Sequence, residues 1–521
     1  MMKRRSFLRS GSILSLPLAL NGVKVGVFSQ TIFEEIIDPN NDRVFVLIQQ
    51  NGGNDGLNTI IPIDQYDNLA NARSDILIPE NRIIKLTEQT GLHPVMTGVK
   101  ELYDQGMLNI IQSVGYPNQN RSHFRSTDIW DTGSAAQEVL ATGWIGRYLD
   151  SIHSGFPEDY PNSDFPHPVA ITLGPTVSET CQGIAANFSL AINDPTSLSM
   201  IPGTDEQELP DNPYGRELTF LRQILSQTNE YAEVLSGVAE MGTNLSPLYP
   251  EQGVNRLADQ LRTVAELISG GLQTRIYIVN INGFDTHANQ TSASDSTVGI
   301  HANLLTDLSQ AVHAFMDDLQ RQGLDQRVIA ATRSEFGRKI VSNGSFGTDH
   351  GNAAPLLVFG SCVNPGMYGE NPTIGSNVDP SEGVEMKVDF RDVFGSILID
   401  WLGASETTVQ SIFSNVFTKL PIVTACSTTP TTELPIESAV SVRAFPNPFL
   451  DNLTVQFKTP GGPAQINLID ASGQRVAVLA DENYAPGEYT IEYKVPDIPP
   501  GTYYYQFVNG DFSKTQSLLH F

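Results

Sequence analysis

The chain runs to 521 residues, too many for one ordinary core, and 40% apolar against 17% charged residues is globular rather than disordered composition. A formal net charge of −27 repels nucleic acid and anionic lipid, so no nucleic-acid partner is expected. Cys181, Cys362 and Cys426 lie far apart with no C-x-x-C spacing, which excludes a zinc knuckle and a dense disulfide framework and leaves one long-range disulfide open, its pair unspecified.

Residues 1–29 read as an export leader. Lys3-Arg4-Arg5-Ser6-Phe7-Leu8-Arg9 precedes an apolar stretch from Ile13 to Leu20, and a paired arginine followed by Phe-Leu resembles the twin-arginine signal. The resemblance implies the twin-arginine translocase as a partner and passage through the periplasm, with Val27-Phe28-Ser29 a cleavage point. The apolar run is far short of the roughly 20 residues that span a bilayer, so no membrane span is expected.

Val44–Gln49 is a continuous apolar run of the kind a buried parallel strand shows, and it leads into the glycine-rich turn Asn51–Gly56. A helix is expected over His93–Gly106 and a strand over Leu108–Val114. The stretches Phe156–Pro168 and Ile201–Tyr214, rich in Pro, Asp and Asn, read as surface insertions, with mostly helical sequence from there to Leu272. Leu272–Asn282 is the next strand; Leu304, Leu305, Leu308, Val312, Phe315, Met316 and Leu319 then recur at helical spacing. Arg327–Thr332 and Pro355–Gly360 are further strands, and Asp389–Gly403 a closing helix. Buried strands alternating with helices predict an α/β domain over residues 40–420, a doubly wound, mostly parallel sheet.

Residues 421–440, rich in Thr, Ser and Pro, read as a linker. From there the pattern changes: Leu453/Val455/Phe457 and Tyr503/Tyr505/Phe507 alternate, with turns at Gly461-Gly462, Ser472-Gly473, Pro486-Gly487 and Pro500-Gly501. That predicts a small C-terminal β-sandwich over 441–521. Ala444-Phe445-Pro446-Asn447-Pro448-Phe449, with Pro500-Gly501-Thr502-Tyr503 later, resembles the sorting domain of type IX secretion substrates. The resemblance implies the type IX machinery as a partner and a secreted or cell-surface destination.

Ligands of parallel α/β sheets gather at the C-terminal ends of strands. Collecting the polar residues there gives Asn51, Asn54 and Asp55; Arg121, Ser122 and His123; Asp285 and His287; Glu335 and Arg338; and Asp349 with His350 ahead of the Pro355 strand. Carboxylates and imidazoles from several strand ends are what a divalent-metal cluster requires, since hard oxygens and borderline nitrogens share such ions. Asp55, Asp285, His287, Glu335, Asp349 and His350 are the candidate ligands for zinc, manganese or calcium. Ser122, Arg121, His123 and Arg338 are the other polar candidates there. No G-x-S-x-G elbow or phosphate-loop motif competes with them.

The strings Gln50–Leu57, Asn120–Ser126, Gly283–Gln290, Ser334–Arg338 and Gly347–Gly351 resemble an uncharacterised exported bacterial family, a domain of unknown function within the alkaline-phosphatase and sulfatase superfamily. The resemblance implies two metal ions beside a nucleophile and an anionic ester as substrate. It places Asp55 on one metal and Asp285 and His287 on the other, with His350 as the last histidine and Ser122 as nucleophile, Ser126 in reserve. The resemblance implies a catalytic role for Ser122, Arg121, His123 and Arg338, with Arg121 or Arg125 offsetting the oxyanion's charge. Where the family carries adjacent Asp and His, this chain has Glu335-Phe336. A metal-dependent hydrolase of phosphate or sulfate esters and a non-catalytic surface or polysaccharide-binding protein of the same fold both remain open.

Overall fold

The computed structural model describes residues 18–20, 23–25, 41–195, 212–413, 417–424, 426, 441–445, 449, 452–459, 461–470, 474–485, 487–494, 498–509 and 512–520. The Lys3–Arg9 motif, Val27–Ser29, residues 201–211, Pro446-Asn447-Pro448, Ser472-Gly473 and Pro486 lie outside them. The chain divides into two units, Met1–Cys426 and Ser427–Phe521.

Val44–Asn51 (β1) runs through the middle of the larger unit's sheet. Its side chains alternate between two cores, as a pleated strand covered on both faces requires. Val44, Val46 and Ile48 face one core, with Leu261 and Leu308; Phe45 and Leu47 face the other, with Trp144 and Phe394. The remaining strands are Leu108–Gly115 (β2), Ala170–Leu173 (β3), Ser189–Ile192 (β4), Ile276–Asn282 (β5), Val328–Arg333 (β6), Ala354–Phe359 (β7), Gly366–Tyr368 (β8) and Val388–Asp389 (β9). They lie in the order β8-β2-β7-β6-β1-β5-β3-β4, with β9 also on β2.

β5 and β6 flank β1 in parallel, whereas β7 runs antiparallel to both β6 and β2. The fold is thus α/β with a mostly parallel sheet. Four of its strands, β3, β4, β8 and β9, went unread in the sequence. The helix expected over His93–Gly106 is shorter, Thr97–Asp104, and it packs with Arg256–Ser269 and Ile300–Arg321 against one face of the sheet. His123–Thr132, Trp144–Ile152 and Phe390–Asp400 cover the other. The insertion 156–168 is not wholly a surface loop, since Tyr160 is buried and stacks on Phe165.

Cys362 and Cys426 are bonded across a separation of 64 residues, while Cys181 is free and buried. A crosslink closing a loop of that length stabilises by on the order of 2–4 kcal/mol, and it suits an oxidising compartment. Together with buried Ile422 and a Val363–Val423 bridge, it makes residues 421–426 part of the α/β unit rather than of the linker. Residues 427–440 lie outside the described ones.

In the smaller unit Ser441–Phe445, Asn452–Thr459 and Gly487–Lys494 form one antiparallel sheet. Gly462–Asp470, Arg475–Tyr484, Gly501–Asn509 and Phe512–His520 form a second. Leu453, Val455 and Phe457 of the first share a core with Ile466, Leu468, Tyr505 and Phe507 of the second, which is the sandwich the alternation predicts. Among the described residues no helix is long and apolar enough to cross a membrane.

Candidate metal centre

The carboxyl ends of β1, β5 and β6, the loop leaving β2 and the loop entering the reversed β7 all open on one edge of the sheet. Close approach there depends on Gly52 (φ +123°), because a Cβ at that position would sit 2.3 Å from the backbone nitrogen of Asp285. Asp285 follows β5, His123 begins the helix after β2, and His350 precedes β7. One ligand atom from each of these three lies within 4.8 Å of the others.

His287 joins them, its Nε2 3.1 Å from Asp285 Oδ1 and 2.8 Å from His350 Nε2. All three imidazoles are held by the far nitrogen. His123 Nδ1 is 2.9 Å from Glu335 Oε1, His287 Nδ1 is 3.2 Å from Asp349 Oδ1, and His350 Nδ1 is 2.8 Å from the Arg121 carbonyl. Carboxylates and carbonyls only accept, so each Nδ1 carries a proton, and with the proton there each ring can turn an Nε2 lone pair inward. Those lone pairs meet the Asp285 carboxylate, at 3.4 Å from His123 and 3.1 Å from His350. Acceptors facing acceptors repel, and a divalent cation among them removes the conflict. The donor set therefore fits one metal ion.

Burial pushes the Asp285 carboxyl up, but the Arg338 guanidinium bonded to it outweighs burial and holds the group at about 2. Burial holds His350 below the ordinary imidazole range.

The other candidates lie elsewhere. Glu335 does not face the cluster's centre; its Oε1 also accepts from Gly52 N at 2.8 Å, so it orients His123 and the turn. Asp349 plays the same part for His287, steadied by Asn343 and Lys339. Asp55 is fully buried and paired with Arg73 at 2.8 Å. Arg338, a catalytic candidate, is buried with its guanidinium on the carbonyls of Gly52, Gly53, Phe284 and Thr348 and on Asp285.

Arg121 donates to Asn352 and to the Ser381 carbonyl, and Arg125 is tied to Asp128 and to the Ala135, Ala136 and Glu138 carbonyls. Ser126 is buried, its hydroxyl bonded to Tyr116 at 2.8 Å and to the Glu335 carbonyl. Ser122 is exposed, makes no side-chain cap on its helix and sits one residue before His123. His123 itself stands in the candidate cluster with Asp285 and His350.

The sequence reading passed over Arg73, Gln290 and His301. His301 bonds Asn54 at 2.9 Å and is pushed down to about 4 by burial. Gln290 ends the Gly283–Gln290 segment, but nothing in the spacing marks Arg73.

Fold and site together define an α/β protein with a histidine–carboxylate cluster at the carboxyl ends of its strands. Residues 223–409 match the model of a family described as a protein of unknown function (DUF1501), a span that holds Asp285, His287, Glu335 and His350 but neither Asp55 nor His123. Residues 443–519 match a secretion system C-terminal sorting domain, which implies secretion or a cell-surface location. No curated protein matches the chain.

Among solved structures, a protein in the alkaline phosphatase superfamily from Vibrio parahaemolyticus is similar at 11% identity over 83% of this chain and 81% of its own, with a TM-score of 0.28. The PsFucS1 sulfatase from Pseudoalteromonas sp. is similar at 8% identity over 86% and 83%, with a TM-score of 0.30. An alkaline phosphatase from the Antarctic bacterium TAB5 is similar at 9% identity over 72% and 98%, with a TM-score of 0.26.

Proposed function

We propose that the chain is an exported, metal-dependent hydrolase of phosphate or sulfate esters. The observation that carries this reading is the convergence of three imidazole Nε2 atoms on the half-exposed Asp285 carboxylate, each ring oriented through Nδ1. His123, His287, His350 and Asp285 would hold the ion; such a nitrogen-rich set suits zinc or manganese better than calcium, which prefers oxygen-rich shells. A metal there supplies Lewis acidity toward an anionic ester. Ser122 is the candidate nucleophile, because it is exposed and immediately precedes His123 in the chain, whereas the Ser126 hydroxyl is buried and bonded.

Elemental analysis of protein purified without chelators tests the reading. Stoichiometric zinc or manganese is expected, and Ser122→Ala should abolish ester turnover with metal content unchanged. Metal-free protein whose melting temperature ignores added zinc and manganese would sink the hydrolase. The second reading, a non-catalytic surface or polysaccharide-binding protein that retains the fold, is favoured by one observation: Arg338 and Arg125 are committed to backbone carbonyls rather than presented to an anion.

For the route outward we infer that residues 1–29 are a twin-arginine leader and that the C-terminal sandwich is read by type IX secretion machinery after passage through the periplasm. Replacing both Arg4 and Arg5 by Lys should leave the precursor in the cytoplasm, as cell fractionation would reveal. Unchanged export of that variant would remove the twin-arginine assignment.

A further inference from the structure

Two metals are implied by the family resemblance, with Asp55 on one of them, and the residues around Asp55 do not fit an ion. A carboxylate offers roughly four lone-pair sites, and all are taken. Oδ1 accepts from Leu57 N at 3.2 Å and from Arg73 Nη1 at 2.9 Å. Oδ2 accepts from Arg73 Nη1 at 2.8 Å and from Gln290 Nε2 at 2.6 Å. Arg73 is equally committed, with Nε on the Ile340 carbonyl at 2.7 Å and Nη2 on the Lys339 carbonyl at 2.6 Å. Its side chain is 0% exposed and that of Asp55 1%, so no water-filled space lies beside the pair.

We propose that Arg73 is the fixed cation of Asp55, and that the centre is consequently built for a single divalent ion held by His123, Asp285, His287 and His350; the second half of this statement rests on the metal reading above. A guanidinium neutralises a buried carboxylate without an ion's exchange with solvent, and its planar fork can hold backbone at the same time.

The pair also reaches the ligand loops. Gln290 donates to Asp55 while its Oε1 accepts from Thr286 at 3.1 Å and from Thr348 at 2.7 Å. Thr286 lies between Asp285 and His287, and Thr348 is two residues before His350. Arg73 grips Lys339, whose ammonium pairs with Asp349 at 3.2 Å. Asp55 and Arg73 are therefore positioning residues, acting on the ligands through Gln290, Thr286, Thr348 and Lys339.

Native mass spectrometry of the full chain in the presence of zinc, with elemental analysis as a second count, tests this. One ion per chain is expected in the wild type, fewer in His350→Ala, and still one in the paired neutral variant Asp55→Asn with Arg73→Gln, whose melting temperature falls. If the paired variant fails to fold, the wild-type count still decides. Two ions in the wild type would overturn the Arg73 assignment while leaving the hydrolase reading intact. No ion in the wild type would overturn the single-ion centre and the hydrolase reading together.

Discussion

Replacing Arg338 with methionine should lower the unfolding free energy by at least about 3–5 kcal/mol, the range for stripping one partner from a buried charge network. The guanidinium is 0% exposed, and it reaches the Gly53 carbonyl at 2.7 Å, the Thr348 and Phe284 carbonyls at 2.9 Å and Asp285 Oδ1 at 2.7 Å. Methionine fills some of the volume but leaves those carbonyls without a donor, each costing about 1–3 kcal/mol before relaxation. Lysine retains the charge yet lacks the planar fork, so Arg338→Lys should recover only a small part.

Urea titration of the metal-free chain measures this without any appeal to catalysis, and a loss under about 1 kcal/mol would deny Arg338 its organising role. Acid adds a check of sign. Since the Asp285 carboxyl is held at about 2, below the 3.8 usual for an aspartate, its contribution is fully present above pH 3.8 and is lost as pH falls toward 2. With 47% of the Asp285 side chain exposed, solvent screening keeps that contribution small.

The sheet was legible where burial on both faces left an unbroken apolar run. Val44–Asn51 and Ile276–Asn282 announce themselves in that way. Ala170–Leu173 and Ser189–Ile192 are four residues each, set among Pro, Ser and Asn, and that length carries no period. Strand direction is likewise absent from hydrophobicity, so the reversal of Ala354–Phe359 had to come from the structure.

At the site, the strand-end rule brought out Asp285, His287 and His350 because position along the chain was enough. It could not tell which way a side chain faces. A carboxylate at a strand end can meet a cation or an imidazole N–H, and Glu335 meets the N–H of His123. Similarly, Asp55 occupies the expected place after the first strand, but its partner comes from the last turn of the helix Tyr66–Arg73, where a basic residue needs no motif.

Removing the Glu335 carboxylate should weaken metal binding about 10–100-fold even though Glu335 does not face the ion, the usual effect of losing the acceptor behind a ligating histidine. The cause is orientational. His123 is 33% exposed, and the groups about its ring are Glu335 at 2.9 Å, Asp285 at 3.4 Å and the rings of His350 and Phe336 at 4.4 and 5.0 Å. In Glu335→Ala the Nδ1 proton loses its acceptor, and the ring is free to flip or change tautomer and withdraw its Nε2 lone pair. Glu335→Gln retains an amide oxygen that can accept from both Gly52 N and His123 Nδ1, so it should lie nearer the wild type. His350→Ala deletes one of the proposed ligands outright and should be weaker than either.

Binding to the folded state adds directly to stability, about 2.7 kcal/mol when free ion is at a hundred times its Kd. A variant whose Kd has risen a hundredfold retains only about 0.4 kcal/mol at the same ion concentration. Thermal melts with zinc and with a chelator should therefore rank the zinc-dependent rise in Tm as wild type, Glu335→Gln, Glu335→Ala, His350→Ala. Because each protein is its own reference, any packing cost of the substitution cancels in that difference. A Glu335→Ala rise equal to that of the wild type would mean that His123 is not a ligand, and the centre would have to be rebuilt on Asp285, His287 and His350 alone.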